Sequence, residues 1–513
     1  MDPTERLPPE ILRKIIWDLP KSYHQGIICG LRWKKTFRLS TLATVSRRWQ
    51  QLIEPFLFRD LHLRIDKVLE SKNVTCLTPQ RLLYVRNVTV KCVLASHICK
   101  QPKRFLQPHG DCDFRQHHPG DEREFNEFVE RVFGILKHLP RREKPYVELV
   151  FEMSCSGSRI TFTQKGMQYM ELFDTWRDFP ELPMISVFRA CGSTDTPTFT
   201  PGDMCRLASK MPRLEKFGVR AIESIRDYVY GDALIRNGKS DSLSLIPVPA
   251  NSIAGLAKSL DLLPISVQTL LIDYQRERIP DQTFEPPSIM ATDSDADALS
   301  EAVQRLTQRH GIREIILLAS IDSAIFQPTK ENACWPTLES FTFAFCDVLP
   351  SGEWVVTGEN PLPAEEEERQ RQETREWATD GIYCPPGCEI ENSFKSGMKE
   401  AVMDHFLVAA ANAVCHMPKI KKLSVRHVFD PTDFEEDISR AGFSFSTAKG
   451  LMVLGKTDIP VLISEVLEAW RAATKTHDVV FDRCLTNELE VAGRYANEFG
   501  PEFQWDHQDV YLF

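Results

Sequence analysis

Leu338-Glu339-Ser340-Phe341-Thr342-Phe343 shows the pattern that decides the fold: an apolar residue, two others, an apolar residue, one other and a third apolar residue. Apolar side chains that alternate in this way predict a short strand with one buried face. Clear copies of the pattern begin at Phe58, Leu214, Val267, Ile312, Leu338 and Ile420, and weaker ones cover 85–90, 147–151 and 185–188. The sequence therefore predicts short strands along most of its length.

Amphipathic helices are predicted between these strands. Apolar residues recur at helical spacing over 122–139, 166–178, 203–211, 252–263, 296–309, 398–417 and 459–474. Two of the helix-to-strand junctions are alike, because Met211-Pro212 and Met417-Pro418 both place a proline where a helix must end. Helices that alternate with strands predict an α/β fold with parallel strands.

The strand pattern resembles the strand line of leucine-rich-repeat proteins. That resemblance implies an irregular α/β solenoid over 61–455, closed by a C-terminal helical cap and tail over 456–513. The spacing departs from the family, because a regular array keeps about 20–29 residues between strand starts and these gaps reach several times that length. We expect insertions at 100–124, 281–297 and 358–380, of which the second is an acidic linker and the third an exposed helix. An irregular α/β domain that shares only the pattern is the alternative.

The first sixty residues carry a different, helical pattern. Leu7-Pro8-Pro9-Glu10-Ile11-Leu12 begins one short amphipathic helix, and a second is predicted from about residue 42 to residue 53. Ser40 or Thr41 is the expected N-cap of the second helix, and Pro55 is its expected end. A helical unit of this size has too much surface for its volume, so part of its apolar face is expected to remain for a partner.

These helices resemble an F-box, since Leu-Pro-x-Glu-Ile-Leu-x-x-Ile is followed by Leu-x-x-Val-Ser-x-x-Trp. The resemblance implies that an F-box-like module over 1–60 binds a Skp1-like adaptor and, through it, a cullin. By motif position the contact residues are Leu7, Pro8, Ile11, Leu12, Ile15, Leu42, Val45 and Trp49. The segment 21–38 is longer than the usual connection between these helices, and the remaining sequence looks similar to F-box proteins of filamentous fungi.

The function implied is that of a substrate adaptor in an SCF-type ubiquitin ligase, which binds a target protein through its repeat domain and carries out no reaction itself. Lys422, Ser424 and Arg426 share one face of the predicted last strand, and they are the candidate contacts for an acidic or phosphorylated target. A solvated strand edge is the alternative interpretation of that face. Two other functions stay open: a leucine-rich-repeat-like scaffold that works without Skp1, and an enzyme with a dispersed active site.

Composition argues against several other classes of protein. The 513 residues carry a net charge of −10 without a strongly basic segment, which argues against nucleic acid as a partner. The apolar runs are too short for a membrane crossing, and the first residues lack the pattern of a signal peptide. The 14 scattered cysteines then favour reduced thiols, and we expect a cytoplasmic or nuclear protein.

Few residues point to chemistry. Cys384 and Cys388 have the spacing of a zinc-binding pair, but no second pair follows nearby, so a Pro-Gly turn with two thiols is the preferred interpretation. The sequence contains no Walker-type phosphate loop, no dinucleotide-binding glycine pattern and no nucleophile elbow. We therefore expect no catalytic residue, no metal and no cofactor.

Overall fold

The chain folds into a mixed α/β structure centred on one open sheet of twelve strands. The computed structural model describes residues 8, 10, 11, 14, 46–69, 77–94, 119–155, 169, 170, 172–191, 198–223, 248–276, 279, 281–286, 288–290, 297–328, 334–358, 363–379, 397–427, 441–447, 450–455, 464–479, 484 and 485. Within these ranges, no helix is both long enough and apolar enough to span a membrane.

The twelve strands lie side by side in the order in which they occur along the chain. They are β1 (Asp60–Arg64), β2 (Asn87–Leu94), β3 (Val147–Cys155), β4 (Ile185–Cys191), β5 (Lys216–Glu223), β6 (Thr269–Arg276), β7 (Glu314–Ala319), β8 (Ser340–Phe345), β9 (Lys422–His427), β10 (Ala441–Ser446), β11 (Gly450–Gly455) and β12 (Cys484–Leu485). Strands β1 to β9 are parallel, as predicted. The prediction is wrong for β10, which runs antiparallel to β9 and β11, because the short link from β10 to β11 permits only a hairpin.

One face of the sheet is a continuous ladder of apolar side chains. Its central row consists of the cross-strand neighbours Leu61, Val88, Leu149, Phe188, Phe217, Leu270, Ile315, Phe341, Leu423 and Phe445. All of them except the first are buried, and neighbouring rings lie in contact, with 6.1 Å between the centroids of Phe188 and Phe217. The strands predicted from the sequence pattern, including those from the three weaker copies, are therefore confirmed.

Besides the helical residues Glu10, Ile11 and Lys14, ten α-helices are found in the described part of the chain. They are α1 (Arg47–Leu57), α2 (Ile65–Leu69), α3 (Pro79–Leu82), α4 (Pro119–Leu136), α5 (Pro201–Ala208), α6 (Val248–Leu260), α7 (Ala298–Thr307), α8 (Ala364–Thr379), α9 (Glu400–Val414) and α10 (Ser464–Thr476). Six of them, α4 to α7, α9 and α10, confirm predicted helices with ends that differ by a few residues. They bury apolar stripes against the ladder, as α4 does with Phe125, Phe128 and Val129.

The helix predicted over 166–178 is wrong where the structure describes it. Tyr169–Met170 is a short strand, and Asp174–Asp178 is a 3-10 helix. Between the two, the backbone N–H of Leu172 donates a hydrogen bond to the buried carboxylate of Asp203 at 2.9 Å. A side chain distant in sequence thus takes a backbone group that a continuous helix would have used.

The acidic linker predicted over 281–297 is wrong where its described residues are buried, as at Asp281, Gln282 and Asp297. Residues 291–296 lie outside the described ranges. Asp281 is buried and lies 3.5 Å from the guanidinium of Arg371 on α8. The indole N–H of Trp354 donates to the carbonyl of Phe284 at 2.9 Å. Helix α8, by contrast, is the mostly exposed helix that was predicted within 358–380.

The C-terminal segment adds both a helix and a strand. Trp470 on α10 is fully buried against the sheet, with its ring centroid 6.0 Å from that of Phe443 and 5.5 Å from that of Phe445. Strand β12 then pairs with β11 and extends the sheet. The segment predicted as a helical cap is therefore not entirely helical.

The turns that precede the parallel strands lie together at the N-terminal ends of these strands. This row of turns is named the starting edge. They consist of residues 83–86, 137–146, 179–184, 210–215, 261–268, 309–313, 334–339 and 416–421. Arginine side chains tie several of these turns together. Arg142 Nη2 lies 2.9 Å from the carbonyl of Leu83, and Arg309 Nη1 lies 2.8 Å from that of Leu263. Arg213 Nη1, from the turn before β5, lies 3.0 Å from the carbonyl of Arg142 in the turn before β3. These bonds satisfy carbonyl groups that the strand ladder leaves unpaired.

Candidate functional site

Helix α1 contains the second half of the predicted docking module. Ser46, and not the predicted Ser40 or Thr41, is its N-cap, and the Ser46 hydroxyl accepts the backbone N–H of Trp49 at 3.4 Å. The predicted end is also wrong, because Pro55 lies inside the helix, which continues to Leu57. A proline in the last turn removes one hydrogen bond without preventing the remaining turn from forming.

Two apolar side chains of α1 are buried one helical turn apart. Trp49 is 8% exposed and Ile53 is 0% exposed. Neither belongs to the continuous core that begins at Leu63 and follows the ladder of the sheet. Helix α1 therefore buries its apolar residues apart from the main core.

A charged contact joins α1 to α3. Glu54 is 8% exposed. Its Oε1 accepts hydrogen bonds from Arg81 Nε at 3.0 Å, from Arg81 Nη2 at 2.8 Å and from Gln50 Nε2 at 2.8 Å. The Arg81 guanidinium also lies over the ring of Phe58, 4.8 Å from its centroid. The bond from Gln50 is the largest cause that holds the pKa of Glu54 below its ordinary value; the bond and charge of Arg81 add to it, while burial opposes it.

The same helix passes directly into the sheet. Phe58 is the C-cap of α1, and only Phe58 and Arg59 separate α1 from β1. The carbonyl of Arg59 accepts the backbone N–H groups of Arg86 at 2.8 Å and Asn87 at 3.0 Å, next to the start of β2. Helix α1 is thus fixed to the first strands at two points, this junction and the contact between Glu54 and Arg81. No sequence pattern signals that contact, because its two residues lie 27 positions apart.

The structure describes three of the predicted Skp1 contacts. Pro8 is exposed and its carbonyl accepts the N–H of Ile11 at 3.1 Å, while the Ile11 side chain is 45% exposed. Trp49 is buried within the chain, so its large surface is not free in this conformation. The other predicted contacts lie outside the described residues: Leu7, Leu12, Ile15, Leu42 and Val45.

The predicted target face of Lys422, Ser424 and Arg426 lies on β9, which is an interior strand and not the last one. Ser424 pairs with Thr342 of β8 on one side and with Ser444 of β10 on the other, and it is 1% exposed. Its hydroxyl is buried without a hydrogen-bond partner in the described part of the chain. The prediction that Ser424 is a surface contact is therefore wrong. The alternative interpretation, a solvated strand edge, is wrong as well, because β9 is an interior strand. Target binding by half-buried Lys422 stays a prediction, and so does binding by Arg426, whose side chain lies outside the described part of the structure.

The buried carboxylates of Asp203 and Asp297 hold helix ends. Burial raises the pKa of both groups. Asp297 caps α7 by accepting the backbone N–H of Ser300 at 2.7 Å and its hydroxyl at 2.6 Å, and Asp203 accepts the hydroxyl of Thr200 at the start of α5. Both groups therefore have structural partners for their oxygens.

Metal ligands are absent as a cluster from the described ranges, which contain no group of three or more histidine, cysteine, aspartate or glutamate side chains that could hold an ion. The predicted zinc candidates Cys384 and Cys388 lie outside those ranges. No family model and no curated protein matches the sequence. The F-box resemblance therefore rests on the motif residues alone.

Proposed function

We propose that the chain is a substrate adaptor of an SCF-type ubiquitin ligase, which binds Skp1 through its N-terminal helices and a target protein through the α/β domain. The observation that carries this proposal is the direct passage of α1 into β1, reinforced by the contact between Glu54 and Arg81. An adaptor works by proximity, and a rigid joint keeps a bound target at a fixed position relative to the bound ligase.

Two further features support a docking role for the N-terminal helices. Helix α1 buries Ile53 apart from the main core, as expected of a module with its own packing. Ile11, in the helical segment that precedes α1, is 45% exposed. An exposed aliphatic side chain in the F-box motif is available to a partner.

We also infer that the α/β domain is an irregular leucine-rich-repeat-like solenoid. Helices of eight or more residues precede strands β3, β5, β6, β7 and β9. The apolar row continues from strand to strand across one shared core, which is the behaviour of stacked units. The domain would present its target from the turns and the face of the sheet that the helices leave uncovered.

Co-purification with Skp1 tests the proposal. Ile11→Asp should abolish recovery of Skp1, because a carboxylate replaces an exposed apolar contact at the interface. Leu262→Asp is the matched control, since Leu262 is 43% exposed in a distant turn and its substitution should leave Skp1 recovery unchanged. Recovery of Skp1 with the Ile11→Asp variant at the wild-type level would refute the assignment of this face.

A binding scaffold that works without Skp1 is the second candidate. The burial of Trp49 favours it, because a tryptophan enclosed within the chain is typical of a helix that covers the end of a domain. In that case Skp1 would fail to co-purify with the wild-type chain as well as with the Ile11→Asp variant.

A further inference from the structure

Positive charge is concentrated at the starting edge, at its β2 to β5 end. The guanidinium carbons of Arg86 and Arg142 lie 4.9 Å and 4.2 Å from the centroid of the Tyr146 ring. Arg213, from the turn before β5, donates to the carbonyls of Arg142 and Glu143. These three arginines, which form the arginine cluster, come from the turns before β2, β3 and β5 and are linked through the Tyr146 ring and the carbonyl of Arg142.

Backbone carbonyls and an aromatic ring hold the arginine cluster, and carboxylates do not. Arg86 Nη1 donates to the carbonyl of Val85 at 2.8 Å, and Arg142 Nη2 donates to that of Leu83 at 2.9 Å. In the described part of the chain no carboxylate lies within ion-pair distance of Arg86, Arg142 or Arg213. Their positive charge is therefore not neutralised locally, although the whole chain has a net charge of −10.

Burial and the crowding of like charges both act on the pKa of Arg86 in this cluster. Burial is the largest cause that lowers the pKa of Arg86, and the charge of Arg142 lowers it further. Exposed Arg141 and Lys144 add two more cations in the turn before β3. The exposed carboxylates of these turns are Glu143, Glu181 and Glu215, fewer than the five cations. An anionic partner would relieve the repulsion among the cations.

The arrangement of the cluster indicates the class of anion. The turns before β2, β3 and β5 span three strand spacings, or about 14 Å. Arg86 and Arg142 share the carbonyl of Leu83, at 3.3 Å and 2.9 Å. Arg213 comes from the turn before β5, two strands beyond the turn of Arg142, so the three cations form a row rather than a ring around a single phosphate. Carboxylates on alternate residues of an extended chain lie about 6.6 Å apart, which suits such a row of cations.

We propose that the arginine cluster, with Arg141 and Lys144, binds an extended acidic segment of a partner protein. Within the proposed function this segment belongs to the target, and the inference rests on that function for the identity of the partner. The next turn supports a polypeptide rather than a nucleic acid, because Ile265 is 83% exposed there and offers an aliphatic contact.

The test uses the full chain and a fluorescent eight-residue peptide in which glutamate and serine alternate. Arg141→Glu combined with Lys144→Glu reverses two cations whose side chains form no bond with the described residues, so the fold is expected to persist. The matched control is Arg471→Glu combined with Lys475→Glu on exposed positions of α10. We expect the first variant to weaken peptide binding by about tenfold or more and the control by less than about twofold.

Several outcomes would overturn the inference. They are the absence of peptide binding by the wild-type chain, equal binding by the first variant and the control, and tighter binding of either a neutral peptide with one phosphoserine or a single-stranded RNA octamer. Thermal unfolding checks that both variants keep the wild-type melting temperature. Skp1 recovery by the wild-type chain is measured in parallel. Its failure refutes the proposed function and leaves this surface standing, whereas absence of peptide binding by a wild-type chain that recovers Skp1 refutes the surface alone.

Discussion

Arg81→Ala should loosen the attachment of helix α1 to the sheet. The substitution removes two of the three hydrogen bonds to the buried Oε1 of Glu54 and leaves a carboxylate with only Gln50. Loss of a charged partner at a group that is 8% exposed costs about 2 kcal/mol, which corresponds to about a 30-fold change in an opening equilibrium. We therefore expect the backbone amides of 47–58 to exchange with solvent about 30-fold faster in the variant.

Hydrogen exchange followed by mass spectrometry measures this change on peptides that cover α1. The pH dependence gives an independent check, because the pKa of Glu54 is lowered below 4.5 in the folded chain. A lowered carboxylate pKa contributes stability at neutral pH, and this contribution disappears as the pH falls through the lowered value. The difference between wild type and Arg81→Ala should therefore shrink as the pH falls from neutral through the lowered pKa of Glu54.

Glu127→Gln is the control for this experiment. The substitution breaks the ion pair between Glu127, whose side chain is 49% exposed, and Arg131, whose side chain is 40% exposed. Exposed pairs contribute little to stability, so hydrogen exchange in α1 should not change. Unchanged exchange in the Arg81→Ala variant, or an equal change with Glu127→Gln, would refute the rigid attachment. A difference that persists undiminished at pH 3 would show that the carboxylate of Glu54 is not its cause.

Three further predictions concern the core, the turns and the thiols. Phe341→Ala deletes a fully buried ring from the ladder and should lower the free energy of unfolding in urea by about 3–5 kcal/mol. Gly311→Ala should lower the melting temperature, because Gly311 has a φ of 110° that alanine rarely adopts. Gly134→Ala in α4 should raise the melting temperature, because nothing lies within 4 Å of the new Cβ and alanine favours a helix more than glycine does. The reverse order of melting temperatures would contradict the turn geometry. Iodoacetamide should label exposed Cys334 and spare buried Cys205, whose thiol pKa is raised by burial, and equal labelling would contradict that burial.

The parallel sheet could be predicted from the sequence because each strand carries its own complete signal. Leu338, Phe341 and Phe343 are all fully buried, and the corresponding residues of the other copies lie beside them in register. Burial of one strand face requires apolar residues at alternate positions, so a local pattern is sufficient to find such a strand. The same reasoning identified most of the long helices.

Elements that depend on distant partners could not be predicted in this way. Phe173 donates its backbone N–H to Asn126, 47 positions earlier, and this contact helps to replace the helix that local spacing favoured. Asp281 has the composition of a linker residue but is enclosed by a segment that contains Arg371. For the docking helix, the motif places Trp49 at an interface, whereas its burial depends on tertiary packing that no short motif encodes.

The unshifted pairing of β8 with β9 has a consequence for the history of the chain. Strand β8 ends at Phe345 and its neighbour β9 begins only at Lys422, yet the six residue pairs between them form without a shift. Doubling the length of a flexible connection costs only about 0.6 kcal/mol in closure entropy. Descendants of this sequence can therefore gain or lose long connecting segments while the strands keep their pairing, and relatives should differ in the lengths of their connections far more than in their strands.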